Sequence, residues 1–203
     1  MARKSSEVLE ASERSVDTHK TSAVGMAGSQ WFVAEVKPTR ERTVREQLLA
    51  WGYEAYVPCQ VSVRVYKNYT WHTSETPVIP GLVFVRLEPD AIPQVAAGCQ
   101  AIYRFMPDRA LSRDVGGQLR FATISETEMQ QLKYVCGQAE NPVLFSDTPL
   151  RVGQPIRVMR GPLSGVEGLF MEEGNSTFIV LRLSLGRYSA IRTEVARCDV
   201  QPV

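Results

Sequence analysis

Residues that could perform catalysis or hold a metal are few and scattered in this chain of 203 residues. The two histidines, His19 and His72, lie far apart, and no G-x-S-x-G or phosphate-binding P-loop motif is present. The cysteines form no CxxC pair; they are Cys59, Cys99, Cys136 and Cys198. Zinc sites need clustered ligands, and disulfide frameworks are typical of small secreted chains. We therefore expect reduced, mostly buried thiols, no metal, no cofactor and no enzymatic activity.

A cluster of cations marks the point where the first predicted strand meets the first predicted helix. It consists of Lys37, Arg40 and Arg42. Cations at a helix N-terminus oppose the helix dipole and are mildly unfavourable there, and the ordinary interpretation of such a cluster is a solvated helix start. The formal net charge is only +1, from 23 basic and 22 acidic side chains. Phosphate neutralisation alone usually needs a more basic protein, so nucleic-acid contact should be local or depend on a protein partner.

The elements that position these residues follow a β-α-β-β-α-β order with one additional helix. The predicted strands are 31–36, 56–66, 82–87 and 101–106; the predicted helices start at Thr39, Asp90 and Ser125. Ser125 and Glu128 form a capping box, and Gly52 suits the left-handed residue after the first helix. The pattern predicts the α+β class, with a ferredoxin-like α/β sandwich whose helices cover one face of the sheet.

Composition divides the chain into four segments. Residues 1–29 are polar and without aromatics, which predicts a disordered tail. Residues 30–137 form the first domain, and 138–149 read as a linker. Residues 150–203 hold five short β-rich runs punctuated by glycines, which predicts a small SH3-like barrel. Because no apolar run reaches membrane-spanning length and no signal peptide is seen, we expect a cytoplasmic protein.

An apolar patch is predicted on the open face of the first sheet. Along strand 82–87, Val83, Val85 and Leu87 suit the helix-covered core, which leaves Leu82, Phe84 and Arg86 on the other face. Strand 101–106 places Ala101, Tyr103 and Phe105 on one face. The predicted patch consists of Ile79, Leu82, Phe84, Tyr103 and Phe105. Exposed apolar patches mark partner sites, although each of these residues could instead be ordinary core.

Three segments resemble a known family. VGQPIRVMRGPLSGVEGLF (152–170) resembles the KOW motif, carried here by Arg160, Gly161, Pro162, Gly165, Glu167 and Gly168. WFVAEVKPTRERTVREQL (31–48) and PVIPGLVFVRL (77–87) are similar to the N-terminal domain of NusG-type transcription elongation factors. The IYRFM strand and the GPLSGVEG turn are most similar to the specialised UpxY-type paralogues.

The resemblance implies a role in transcription. A NusG-type protein binds the clamp helices of the largest RNA polymerase subunit through the apolar patch, and UpxY-type members are antiterminators of surface-polysaccharide operons. The resemblance further implies that the cations at residues 37–42 face non-template DNA. It also implies that Leu185 and Arg187 dock a ribosomal protein or termination factor. We expect a monomer whose barrel stays β in all states, because FIVLRL (178–183) and the interspersed glycines disfavour a helix.

Other functions remain open at this level. A KOW-type module that binds RNA or the ribosome without polymerase would predict a strongly basic barrel, but residues 148–203 carry seven basic and five acidic side chains. A small enzyme with a barrel appendage lacks a catalytic set. The hairpin tip at 67–75 carries Lys67, Tyr69, Trp71 and His72, which could stack on nucleic acid or polymerase, or pair across the hairpin.

Overall fold

Three α-helices and thirteen strands form the part of the chain that this computed structural model describes, residues 28–65, 71–108, 120–185 and 189–203. The helices are α1 (Glu41–Ala50), α2 (Ile92–Gly98) and α3 (Glu126–Gln138), with 3-10 turns at Pro89–Ala91 and Arg197–Asp199. The strands before α3 are β1 (Gln30–Val36), β2 (Glu54–Tyr56), β3 (Cys59–Val65), β4 (Trp71–Pro77), β5 (Leu82–Leu87), β6 (Ile102–Phe105) and β7 (Thr123–Ile124). The strands after α3 are β8 (Leu144–Ser146), β9 (Pro155–Val158), β10 (Glu167–Glu173), β11 (Ser176–Arg182), β12 (Ala190–Val195) and β13 (Val200–Pro202). The predicted α+β class is confirmed, whereas nearly all of the predicted N-terminal tail lies outside the described residues.

The first sheet is antiparallel and has β1 near its centre. Its strand order is β2-β5-β1-β6, and β7 also pairs with β1. The β1–β5 ladder runs from Gln30↔Leu87 to Glu35↔Leu82. Because successive side chains point to opposite faces of a sheet, the apolar sequences of both strands give the sheet two apolar faces.

One face of this sheet packs on α1 and α2. Val83, Val85 and Leu87 lie in a buried cluster with Val44 and Leu48 of α1. The prediction that these three β5 residues form the helix-covered core is therefore confirmed. Full burial of a Val or Leu side chain stabilises the fold by about 1.5–3 kcal/mol. Burial of these three β5 residues therefore strongly favours packing of this face of the sheet on α1 and α2.

The other face of the sheet is also covered, by α3. Trp31, Val33 and Phe84 share a buried cluster with Met129 and Leu132 of that helix. The prediction that helices cover only one face is wrong, because α3 has an apolar stripe of its own that needs a partner. The capping box that begins α3 is confirmed. The backbone N of Glu128 donates to the Ser125 hydroxyl at 3.2 Å, and the Glu128 carboxylate accepts from the backbone N of Ser125 at 3.0 Å.

The start of α1 differs from the prediction that Thr39 caps it. The helix begins at Glu41, with Arg40 at the N-cap position and no side-chain cap. Thr39 has φ 66°, a left-handed conformation that is unusual for a β-branched residue. The buried Glu41 carboxylate accepts a hydrogen bond from the backbone N of Gly81 at 2.7 Å. At the other end, Gly52 has φ 86°, which confirms the predicted left-handed residue.

Strands β3 and β4 form a separate two-stranded sheet, which we call the hairpin arm. The predicted strand over 56–66 is interrupted at Val57 and Pro58, so β2 joins the first sheet and β3 joins the arm. Residues 67–70 of the predicted tip lie outside the described residues, whereas 71–75 belong to β4.

The C-terminal part of the chain is a six-stranded antiparallel sheet of order β13-β9-β10-β11-β12-β8. As labels only, we keep the predicted names: "barrel" for this sheet and "first domain" for the elements before it. Strands β9 to β13 overlap the five predicted β-rich runs, which are 155–160, 165–171, 178–183, 189–195 and 198–203. The sixth, β8, lies in the segment predicted as a linker and pairs with β12. Gly168 permits the close approach of β10 and β11, since a Cβ there would lie 2.7 Å from Ile179 Cγ1.

Candidate functional site

The predicted apolar patch is not one exposed surface. Phe84 is 0% exposed and Ile79 is also buried, both in the cluster that contains α3. Phe105 is buried in the opposite cluster, with α1 and α2. Leu82 is partly buried, and Tyr103 is 64% exposed. The prediction that these residues form an exposed patch is therefore wrong for Ile79, Phe84 and Phe105, which are buried.

A bulge explains why Tyr103 and Phe105 separate. Ala34 pairs with Phe105, whereas Val36 pairs with Ile102, so the β6 strand has one extra residue opposite β1. A bulge places two consecutive side chains on the same side of the irregularity. Tyr103 and Arg104 consequently both face solvent, while the residues on either side of them turn inward.

The cluster that contains Phe84 extends into the barrel. The same continuous set of buried apolar residues includes Ile79 of the first domain and Leu163, Leu183 and Leu185 of the barrel. The first domain and the barrel therefore pack against each other with α3 at the contact. Leu185, predicted to receive a partner, is buried in this contact, and Arg187 lies outside the described residues.

Polar contacts from α3 hold the barrel in place. Glu128 Oε1 accepts from the backbone N of Ser184 at 3.1 Å and from its hydroxyl at 2.7 Å. The Tyr134 hydroxyl donates to the carbonyl of Pro162 at 2.9 Å. Partial burial acts to raise the pKa of Glu128, but the hydrogen bonds from Ser184 and Ser125 outweigh it and hold that pKa below its ordinary value. Glu128 thus serves both the helix cap and the barrel, a role that the capping-box pattern alone could not reveal.

The predicted cation cluster is divided by an ion pair. Arg42 Nη2 lies 2.8 Å from Glu75 Oε2 of the hairpin arm, which leaves this guanidinium neutralised. The side chains of Lys37 and Arg40 are exposed and have no ion pair among the described residues. The structure therefore leaves two of the three predicted cations available for a phosphate.

The KOW-like turn is built from glycines and a salt bridge. Gly161 and Gly165 have φ 81° and 89°, conformations that glycine adopts readily. Arg160 and Pro162 are exposed beside them, and Glu167 pairs with Arg157 across β9 and β10. The predicted motif residues therefore form a tight turn and the start of a strand.

Two of the four thiols, those of Cys59 and Cys136, are poor nucleophiles. Burial raises the pKa of Cys136 to about 12 and also raises that of Cys59, so little thiolate forms at neutral pH. Among the described residues, no group of three or more His, Cys, Asp or Glu side chains is arranged to hold a metal ion. No helix in the described part of the chain is both long and apolar enough to cross a membrane.

Sequence reasoning missed one polar residue at the base of the arm. The side-chain amide of Gln60 makes three hydrogen bonds to the main chain of the segment between α3 and β8. A single glutamine in a strand carries no signal in sequence, because its partners lie about 80 residues further along the chain.

Comparison with known proteins identifies the family. The sequence family described as "Transcription termination factor nusG" matches residues 29–133, just over half of the chain. The solved structure described as "Domain interaction in Thermotoga maritima NusG" has a TM-score of 0.46 and 18% identity, covering 88% of this chain and 99% of its own. A chain of the "MjSpt4:Spt5 complex conformation A" has a TM-score of 0.28 and 13% identity, covering 85% and 97%. A search of curated proteins finds no match. On the strength of the sequence match over residues 29–133, this chain belongs to the NusG family of transcription factors.

Proposed function

We propose that this NusG-family chain supports processive transcription by binding the clamp helices of the largest RNA polymerase subunit. The binding face would consist of Ile79, Leu82 and Phe84, with Tyr103 at its margin. The observation that supports it best is the continuous apolar cluster that joins this face to the barrel. A face that is covered by another part of the same chain can exchange that cover for the apolar side of another helix pair.

Phe84 and Ile79 lie in the cluster that α3 and the barrel share, so both α3 and the barrel docked on it must move for this exchange to expose them. Two α3 side chains make the hydrogen bonds from this helix to the barrel, namely Glu128 and Tyr134. Such solvent-exposed contacts are individually weak, so a helix pair that buries more apolar area can displace the barrel. The released barrel, a KOW-type domain in this proposal, would keep its β structure and offer the edge near Leu185 to a ribosomal protein or termination factor.

The remaining parts of the proposal concern specialisation. Lys37 and Arg40 would contact non-template DNA, since their charges are unpaired among the described residues and phosphate contacts favour such cations. The chain would act as an antiterminator of surface-polysaccharide operons, as UpxY-type members do. The alternative of an RNA-binding or ribosome-binding barrel is less favoured, because Arg157, Arg192 and Arg197 are paired with glutamates.

Binding of core RNA polymerase to the full chain tests the proposal. Tyr103→Asp should weaken binding at least about tenfold, because a carboxylate resists desolvation in an apolar interface. Phe84→Asp would place a charge in the core and therefore cannot separate binding from folding. Leu49→Asp is the matched control, since Leu49 is also an exposed apolar residue, on α1. Equal affinity of the folded Tyr103→Asp protein and the unaltered chain would place the polymerase site elsewhere.

A further inference from the structure

The hairpin arm is held at its base by side chains. Among the described residues, its two strands share no ladder with the other two sheets. On one side Arg42 reaches Glu75 of β4, but both side chains are about half exposed, so this pair is weak. On the other side the contact is made by Gln60 of β3.

Gln60 uses both ends of its amide. Its Nε2 donates to the carbonyl of Ala139 at 3.3 Å and to that of Asn141 at 2.8 Å. Its Oε1 accepts from the backbone N of Val143 at 2.9 Å. One side chain therefore fixes the main chain of residues 139–143, which we call the junction.

The junction is bound to the barrel by a second set of bonds. The Asn141 carbonyl also accepts from the hydroxyl of Thr193, a buried residue of β12, at 3.3 Å. The Asn141 side chain donates from Nδ2 to the carbonyl of Glu194 at 3.0 Å. A single carbonyl oxygen, which has two lone pairs, thus accepts one bond from the arm and one from the barrel.

We propose that residues 139–143 couple the hairpin arm to the barrel, so that displacing the arm changes how firmly the barrel sits on α3. A flexible tether would let the two units move independently. Here the segment is fixed on both sides, and β8, which follows directly, is paired with β12. Thermodynamic coupling is reciprocal, so loosening the barrel must also loosen the arm. The coupling holds whichever partner the arm meets, and does not depend on polymerase binding.

Amide hydrogen exchange of the full chain tests the coupling. Gln60→Ala should raise the exchange rate of the Val143 amide about tenfold, as a local effect. It should also raise exchange of the Ser184 amide, which donates to Glu128 and shares no described hydrogen bond with the junction, at least about threefold. The matched control is Thr76→Ala, the cross-strand neighbour of Gln60, which should change neither rate.

The reciprocal change completes the test. Ser184→Ala removes a hydroxyl bond between the barrel and α3, and should raise exchange of the Val78 amide, which donates to Pro58 at 2.7 Å at the base of the arm. If Gln60→Ala accelerates exchange at the junction alone, the junction is only a local contact and the proposal is overturned. The proposal is also overturned if the Thr76→Ala control raises exchange at Ser184 as much as Gln60→Ala does. Should Gln60→Ala fail to fold, Gln60→Glu keeps the acceptor for Val143 while losing both donated bonds, and the same outcomes decide.

Discussion

The hydroxyl of Ser184 offers a clean way to weaken the contact between α3 and the barrel. Ser184→Ala removes the 2.7 Å bond to Glu128 Oε1 but keeps the backbone bond to the same oxygen. The capping box is untouched, because Ser125 bonds the other carboxylate oxygen. The substitution therefore changes the docking of the barrel without removing a helix cap.

The expected effect is moderate. A hydrogen bond to a charged group contributes about 1.5–3 kcal/mol when sheltered. Ser184 is exposed and Glu128 only partly buried, so solvent screening reduces this to about 0.5–1 kcal/mol. At 25 °C that corresponds to an approximately twofold to fivefold rise in the ratio of undocked to docked molecules.

Amide exchange at position 184 measures this ratio, because the amide loses its Glu128 partner only when the barrel leaves α3. After correction for the intrinsic rates of Ser and Ala, the rate should rise by the same twofold to fivefold. Ser164→Ala is the control, since the Ser164 hydroxyl bonds Met159 within the barrel. A rate at position 184 that does not rise, or that rises equally in the control, would refute the role given to the Glu128 bond.

Three further predictions concern pH, packing and thiol chemistry. The depressed pKa of Glu128 means that its contribution to docking is present above its ordinary pKa and is lost as the pH falls through the lower, folded-state value; the protection factor at position 184, which is the intrinsic exchange rate at each pH divided by the observed rate, should therefore fall on acidification, and less so in Glu128→Gln. Gly168→Ala should lower barrel stability by about 1–3 kcal/mol in thermal unfolding, whereas Gly153→Ala, whose added Cβ would meet no atom closer than 3.5 Å, should cost less; similar losses would contradict the close approach at Gly168. Cys198, the exposed thiol, should react with a maleimide well before Cys136, as mass spectrometry of partially labelled protein would reveal.

Local patterns of the sequence predicted the parts of the fold that depend on neighbouring residues. The alternation in β5 placed Val83, Val85 and Leu87 correctly, and the Ser125 capping box located the start of α3. Both predictions rest on residues that are close together in sequence. They succeed because the burial or capping of those same residues stabilises the element.

The misplaced parts depend on pairs of distant segments. The separation of Tyr103 from Phe105 comes from a bulge between β6 and β1, which neither strand encodes alone. The three-residue β8 strand exists through its pairing with β12, so its own composition resembled a linker. Phe84 is buried because α3 packs on its face of the sheet. The amphipathic pattern of α3 shows that this helix needs an apolar partner, but it does not show which surface that partner is.

The central position of β1 has a consequence for the order of folding. This strand leaves the ribosome before all of its partners, because its ladder with β5 runs from Leu82 to Leu87 and β6 and β7 lie still further along the chain. At a synthesis rate of roughly 5–20 residues per second, the 57 residues from Gln30 to Leu87 take about 3–11 s to be added. Closing such distant pairs is slow compared with forming local helices. During that interval the apolar WFV segment of β1 has no strand partner, so the nascent chain is most prone to aggregation before β5 emerges.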